Sequence, residues 1–128
     1  MKLQTTVKHA AADGSDFVTG LRDYFQYRET GIKDATGGMF TAHVIRAVPG
    51  KTFEPTWHSH KASFQMFFVL AGWVEFEYED IGRVRMEAGS SVYQPPGVMH
   101  REIQHSDDFV VLEVVSPGDF ATELANVD

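Results

Sequence analysis

Cysteine is absent from the 128 residues, which excludes disulfide staples, thiolate metal sites and cysteine nucleophiles and leaves any metal to imidazole, carboxylate or amide ligands. Positive charge is scarce. Eleven Lys and Arg against 18 Asp and Glu give a formal charge of −7, so phosphate backbones and anionic membranes are repelled, and neither is an expected partner. Long apolar runs are missing too: no stretch approaches the roughly 18 residues of a spanning helix, and the opening MKLQTTVKHAAADGSDF lacks the apolar segment of a signal peptide. A soluble, cytoplasmic protein is expected. Helical periodicity is also lacking, apart from a short, weakly patterned C-terminal segment, Phe120–Val127, behind Pro117-Gly118-Asp119.

An apolar share of 43% with 12% aromatics is enough for one core, and the length suits one domain of the usual ~100–150 residues. The expected organisation is a single domain over 1–128, with an irregular arm at 1–16 and a body at about 24–115. Within the body, runs rich in β-branched and aromatic residues alternate with turn residues: Tyr24–Arg28, Met39–Val48, Trp57–His60, Phe64–Leu70, Trp73–Glu79, Arg83–Glu87, Val92–Gln94, Arg101–Gln104 and Phe109–Val115. Pro49-Gly50, Ala71-Gly72, Asp80-Ile81-Gly82, Ala88-Gly89 and Pro95-Pro96-Gly97 separate them. Many short strands at close spacing predict an all-β sandwich or barrel.

Phe64–Leu70 is apolar on both faces, with Phe64, Met66, Phe68 and Leu70 on one and Gln65, Phe67 and Val69 on the other. Such a strand needs cover on both sides. The barrel interior supplies one, and a second copy in a homodimer, or the N-terminal arm, supplies the other. Trp73–Glu79 is half wet, its Glu75, Glu77 and Glu79 forming a solvated face rather than a cation site.

The candidate chemistry lies in three of the six histidines. His58 and His60 are two apart, so on a strand their imidazoles aim at one point. Gln65 opens the next strand after a short polar link, and His100 follows the rigid turn at Pro95-Pro96-Gly97. Glu102 shares the strand direction of His100 and is a candidate acid/base or supporting carboxylate, with a place on the rim as the competing reading. His43 is expected in the wall or behind the site, and His9 and His105 on the surface. Glu113 interrupts an apolar strand, either paired inside or marking a wet face. Tyr24, Tyr27, Arg28, Arg46 and Tyr93 are candidate substrate-orienting groups whose direction the sequence leaves open.

In this arrangement the chain resembles the cupin superfamily. The first motif of that family reads here as Gly50, seven residues, His58-Ser59-His60, four residues, Gln65, six residues and Gly72; the second as Gly89, five residues, Pro95-Pro96-Gly97, two residues, His100, three residues and Gln104. The resemblance implies a double-stranded β-helix (jelly-roll) barrel, usually homodimeric, holding a divalent transition metal (Ni, Fe, Mn or Zn) at His58, His60, Gln65 and His100. Two positions depart from the motifs: Gln65 stands where the family has glutamate, and Gln104 where it has asparagine. An amide oxygen is neutral, so an ion in this shell keeps its full charge and is a stronger Lewis acid. The three-histidine-plus-glutamine set resembles that of bacterial enzymes ketonising unsaturated uronates. The function it implies is a metal-dependent isomerase, lyase or tautomerase acting on a small oxygen-rich molecule, a sugar acid or a keto/enol compound. A dioxygenase, or a non-enzymatic ligand-binding or sensor protein, is the alternative.

Overall fold

A computed structural model describes residues 3–20, 23–51, 55–118 and 121–124. Leu3–Phe17 forms no regular element, as expected of the arm. The strands are β1 Val18–Thr19, β2 Phe25–Glu29, β3 Thr41–Ala47, β4 His58–Lys61, β5 Phe64–Ala71, β6 Trp73–Tyr78, β7 Gly82–Glu87, β8 Ser91–Tyr93, β9 His100–His105, β10 Val110–Ser116 and β11 Ala121–Leu124, with one helical turn, α1, at Ile32–Ala35. They form two antiparallel sheets, ordered β1-β2-β3-β10-β5-β8 and β11-β4-β9-β6-β7. This is the all-β jelly roll expected from the sequence.

Alternation sets what each strand buries. On β5, Gln65, Phe67 and Val69 are buried while Phe64, Phe68 and Leu70 are exposed. From the first sheet Ile45, Phe67, Val69 and Val111 meet Val74, Tyr78 and Met86 of the second, closed by Val98 and Phe109. Each buried aliphatic or aromatic side chain here contributes about 1.5–3 kcal/mol relative to exposure. The glutamates of β6 lie outside the core: Glu77 pairs with Arg101 at 2.7 Å and Glu75 with Arg83 at 3.8 Å.

Two elements differ from the sequence expectation. Where a C-terminal helix was expected at Phe120–Val127, Ala121–Leu124 instead pairs as a strand with His58–Lys61; Phe120 and 125–127 lie outside the described residues. An isolated helix of that length is marginal, whereas the β4 edge offers unpaired backbone groups that reward extension. The turn α1 was not expected, because four residues carry no readable helical period.

The β5–β6 turn seats the barrel end. Gly72 has φ +68°, and an added Cβ would meet the side chain of Ser106 and lie 2.8 Å from the Cα of Phe109. The neighbouring Trp73 N–H donates to Ser106 Oγ at 2.9 Å. Glycine is required here both by dihedral and by space.

Candidate metal centre

His58 and His60 project from β4, and His100 opens β9, directly opposite His58 in register. The turn before His100 is tied to both neighbours: Gln94 N–H donates to Gln65 O at 2.9 Å, Gly97 N–H to His60 O at 3.4 Å, and Val98 N–H closes on Pro95 O at 3.2 Å. Proline fixes φ and glycine accepts φ +77°, so the imidazole enters at a set angle. One ligand atom from each of the three histidines lies within 4.8 Å of the other two. The ring centroids are 4.3 to 5.1 Å apart.

The tautomers suit a cation. His58 Nδ1–H donates to Thr56 O at 2.8 Å and His100 Nδ1–H to Val98 O at 3.1 Å, leaving each Nε2 with its lone pair. Burial, with His58 beside it, lowers the pKa of His100 to about 4. The imidazole is therefore neutral near pH 7, the form that ligates. Three imidazoles converging inside a barrel fit a divalent transition metal.

These groups line a cavity of about 280 Å³. Gln65, Gln94, Glu102, Glu113 and His43 also face it, and Tyr24, Phe25, Tyr27, Phe67, Phe76 and Phe109 supply aromatic wall. Gln94 accepts a hydrogen bond from Tyr78 Oη at 2.8 Å, and burial raises the pKa of that phenol.

The remaining candidates sort by register. Glu102 is 8% exposed and lines the cavity rather than standing on the rim. His105, expected on the surface, is instead inside: its side chain is 5% exposed, its Nδ1–H donates to Glu102 at 3.2 Å, and its ring lies 5.1 Å from that of Phe25. A bulge in the β6–β9 pairing between Glu75 and Phe76 shifts the alternation along β9, so that His105 comes to the same side as Glu102. Glu113 faces in, accepting from His43 Nε2 at 2.7 Å and from Gln65 Nε2 at 3.0 Å. Burial opposes its ionisation, yet the His43 and Gln65 hydrogen bonds prevail and its pKa is lowered. For His43, burial likewise disfavours the charged form, and the hydrogen bond and charge of Glu113 reverse this to a raised pKa.

Tyr24 and Tyr27 line the cavity. Arg28 and Arg46 instead stand 4.2 and 4.0 Å over the ring of Phe17, and Arg28 binds Asp16 at 2.9 Å, pinning the arm outside the barrel. Tyr93 is exposed, as are Gln104 and His9. No spacing signal marks the His105–Glu102 or Glu113–Gln65 contacts.

A Cupin domain model matches residues 44–116, more than half of the chain. The chain belongs to the cupin family. No curated protein matches this cupin. Among solved structures it is similar to KdgF from a Halomonas species, with 22% identity and TM-score 0.66 over 86% of this chain and 94% of that one. It is similar to a sugar phosphate isomerase of the cupin superfamily from Silicibacter pomeroyi, with 21% identity and TM-score 0.64 over 83% and 68%. It is also similar to salicylate 1,2-dioxygenase from Pseudoaminobacter salicylatoxidans, with 12% identity and TM-score 0.65 over 86% of this cupin but 31% of that chain. At these identities the likeness is one of fold, and a fold of this kind hosts many chemistries.

Proposed function

We propose that this cupin holds a divalent transition metal on His58, His60 and His100, with Gln65 as a further ligand, and catalyses isomerase, lyase or tautomerase chemistry on a small oxygen-bearing molecule. The observation that carries this is the convergence of three imidazoles inside an aromatic-walled cavity. Ni, Fe, Mn and Zn all accept imidazole. When bound, the ion supplies Lewis-acid polarisation of a carbonyl or carboxylate. The chain supplies the rest: flat aromatic walls to orient the substrate and exclude water, and Glu102, held by His105, to take and return a proton.

The wall favours the keto/enol member of this class over a sugar acid. Phe25, Phe67, Phe76 and Phe109 line the cavity and suit a conjugated, planar body, with His43, Gln65 and Glu113 as a hydrogen-bonded polar group. The test is elemental analysis of purified protein, followed by a panel of keto acids, enols and sugar acids with and without chelator. Bound metal and chelator-sensitive turnover are expected, and Glu102→Gln is expected to lower that turnover by about 10²–10⁴-fold with metal content unchanged. Wild-type turnover in Glu102→Gln would remove the role from that residue. Oxygen uptake by the Fe(II) form would select a dioxygenase, and tight binding without turnover a sensor.

The partner we propose is a second copy of the chain. Phe64, Phe68, Leu70 and Tyr93 are 37%, 38%, 47% and 59% exposed on the outer face of β5 and β8. The arm does not cover them, being anchored through Arg28 and Arg46 at β2 and β3. A contiguous apolar sheet face of this kind marks an interface. Sedimentation at micromolar concentration is expected to give a dimer, and Phe68→Lys a monomer; a monomeric wild type would refute it.

A further inference from the structure

An amide is an ambiguous metal ligand, since rotation about its last torsion presents either an oxygen, which ligates, or an NH2, which does not. In this cupin the ambiguity is removed from behind. Gln65 Nε2 lies 3.0 Å from Glu113 Oε2, and a carboxylate can only accept, so the NH2 faces Glu113 and the oxygen is left for the cavity. Glu113 is in turn held through its other oxygen by His43 Nε2 at 2.7 Å, while His43 Nδ1 lies 3.5 Å from Glu29. The three groups come from β5, β10 and β3, adjacent strands of one sheet, with Glu113 registered against both His43 and Phe67.

We propose that Glu113, braced by His43, is a positioning residue that locks the Gln65 amide with its oxygen presented to the three imidazoles and sets one negative charge a single hydrogen bond behind the ligand. This inference rests on the metal-centre reading above and extends it. In a site with a glutamate ligand, orientation and charge arrive on one side chain; in this chain they are divided between Gln65 and Glu113. The ion meets a neutral oxygen and stays strongly Lewis acidic, while Glu113 keeps the donor set from flipping. The partners behind a ligand are worth about 10–100-fold in metal affinity elsewhere.

The test is Co(II) affinity by chelator competition, together with the visible d–d spectrum, which reports ligand number independently of turnover. Glu113→Leu is expected to weaken Co(II) binding about 10–100-fold and to change the spectrum. Glu113→Gln, which retains an acceptor and the volume, is expected to fall between Leu and wild type, and it carries the test if the Leu variant does not fold. In a Gln65→Ala background, Glu113→Leu is expected to have little further effect, because the group it positions is gone. Unchanged affinity and spectrum in both Glu113 variants, or an equal loss with Gln65 already removed, would overturn the positioning role while leaving the metal centre intact. Failure of the wild type to bind Co(II) at all would overturn the metal reading and this one with it.

Discussion

His100→Ala is expected to lower metal affinity at least about 100-fold, since losing a group that merely supports a ligand already costs about 10–100-fold. Of the three proposed ligands, His100 is the one whose place depends most on tertiary structure. It reaches the other two imidazoles through the Pro95-Pro96-Gly97 turn, and that turn is stitched to β4 and β5 by hydrogen bonds from Gly97 and Gln94. Burial holds it neutral, with a pKa near 4, so at pH 7 no proton has to leave before it binds. The metal-free fold is expected to survive the change. The buried ring donates to Val98 O, and leaving that carbonyl unpaired costs about 1–3 kcal/mol. Metal content after dialysis, read beside the melting temperature of the chelated protein, separates the two effects. Stoichiometric metal in His100→Ala would refute the assignment.

The second large effect is on stability. Gly72→Ala is expected to cost about 3 kcal/mol or more, combining the left-handed backbone penalty of about 1–2 kcal/mol with displacement of packed neighbours. The conflict cannot be relieved by rotating a side chain, because one neighbour is the backbone Cα of Phe109 at 2.8 Å. Phe109 is a core residue, 3% exposed, so pushing its backbone away opens the barrel end. Gly82 provides the control: it has φ +79° but no atom within 4 Å of an added Cβ. Gly82→Ala should therefore show the backbone penalty alone. Thermal unfolding is expected to show a drop of about 10 °C or more for Gly72→Ala and a distinctly smaller one for Gly82→Ala. Equal drops would mean that the close approach to Phe109 does not matter.

Much of the barrel was legible because its signals are local. Strand faces follow from period-2 alternation, as in Gln65, Phe67 and Val69 against Phe64, Phe68 and Leu70, and turns follow from glycine and proline. The three histidines were legible for the same reason: His58 and His60 are two apart on one strand, and His100 follows a rigid turn. Residues whose role depends on a distant strand were not. Period-2 counting along β9 carries Glu102 inward with His100 but says nothing of His105, which reaches Glu102 only beyond a bulge. Glu113 read equally well as an inner pair or a wet face until β10 was placed beside β3 and β5, bringing His43 and Gln65 to it. Arg28 and Arg46 are candidate substrate groups by residue type alone, and only the fold seats both over Phe17.

From residue order alone come the absence of thiol chemistry, the all-β pattern, and the trio of imidazoles with their neutral fourth candidate, because composition and short-range periodicity need no knowledge of neighbours. Only the tertiary structure decided that Ala121–Leu124 extends along β4 instead of coiling, and that a carboxylate stands behind Gln65. Strand pairing is set by backbone hydrogen bonds and burial summed over the whole sheet, and no local stretch of sequence carries that sum.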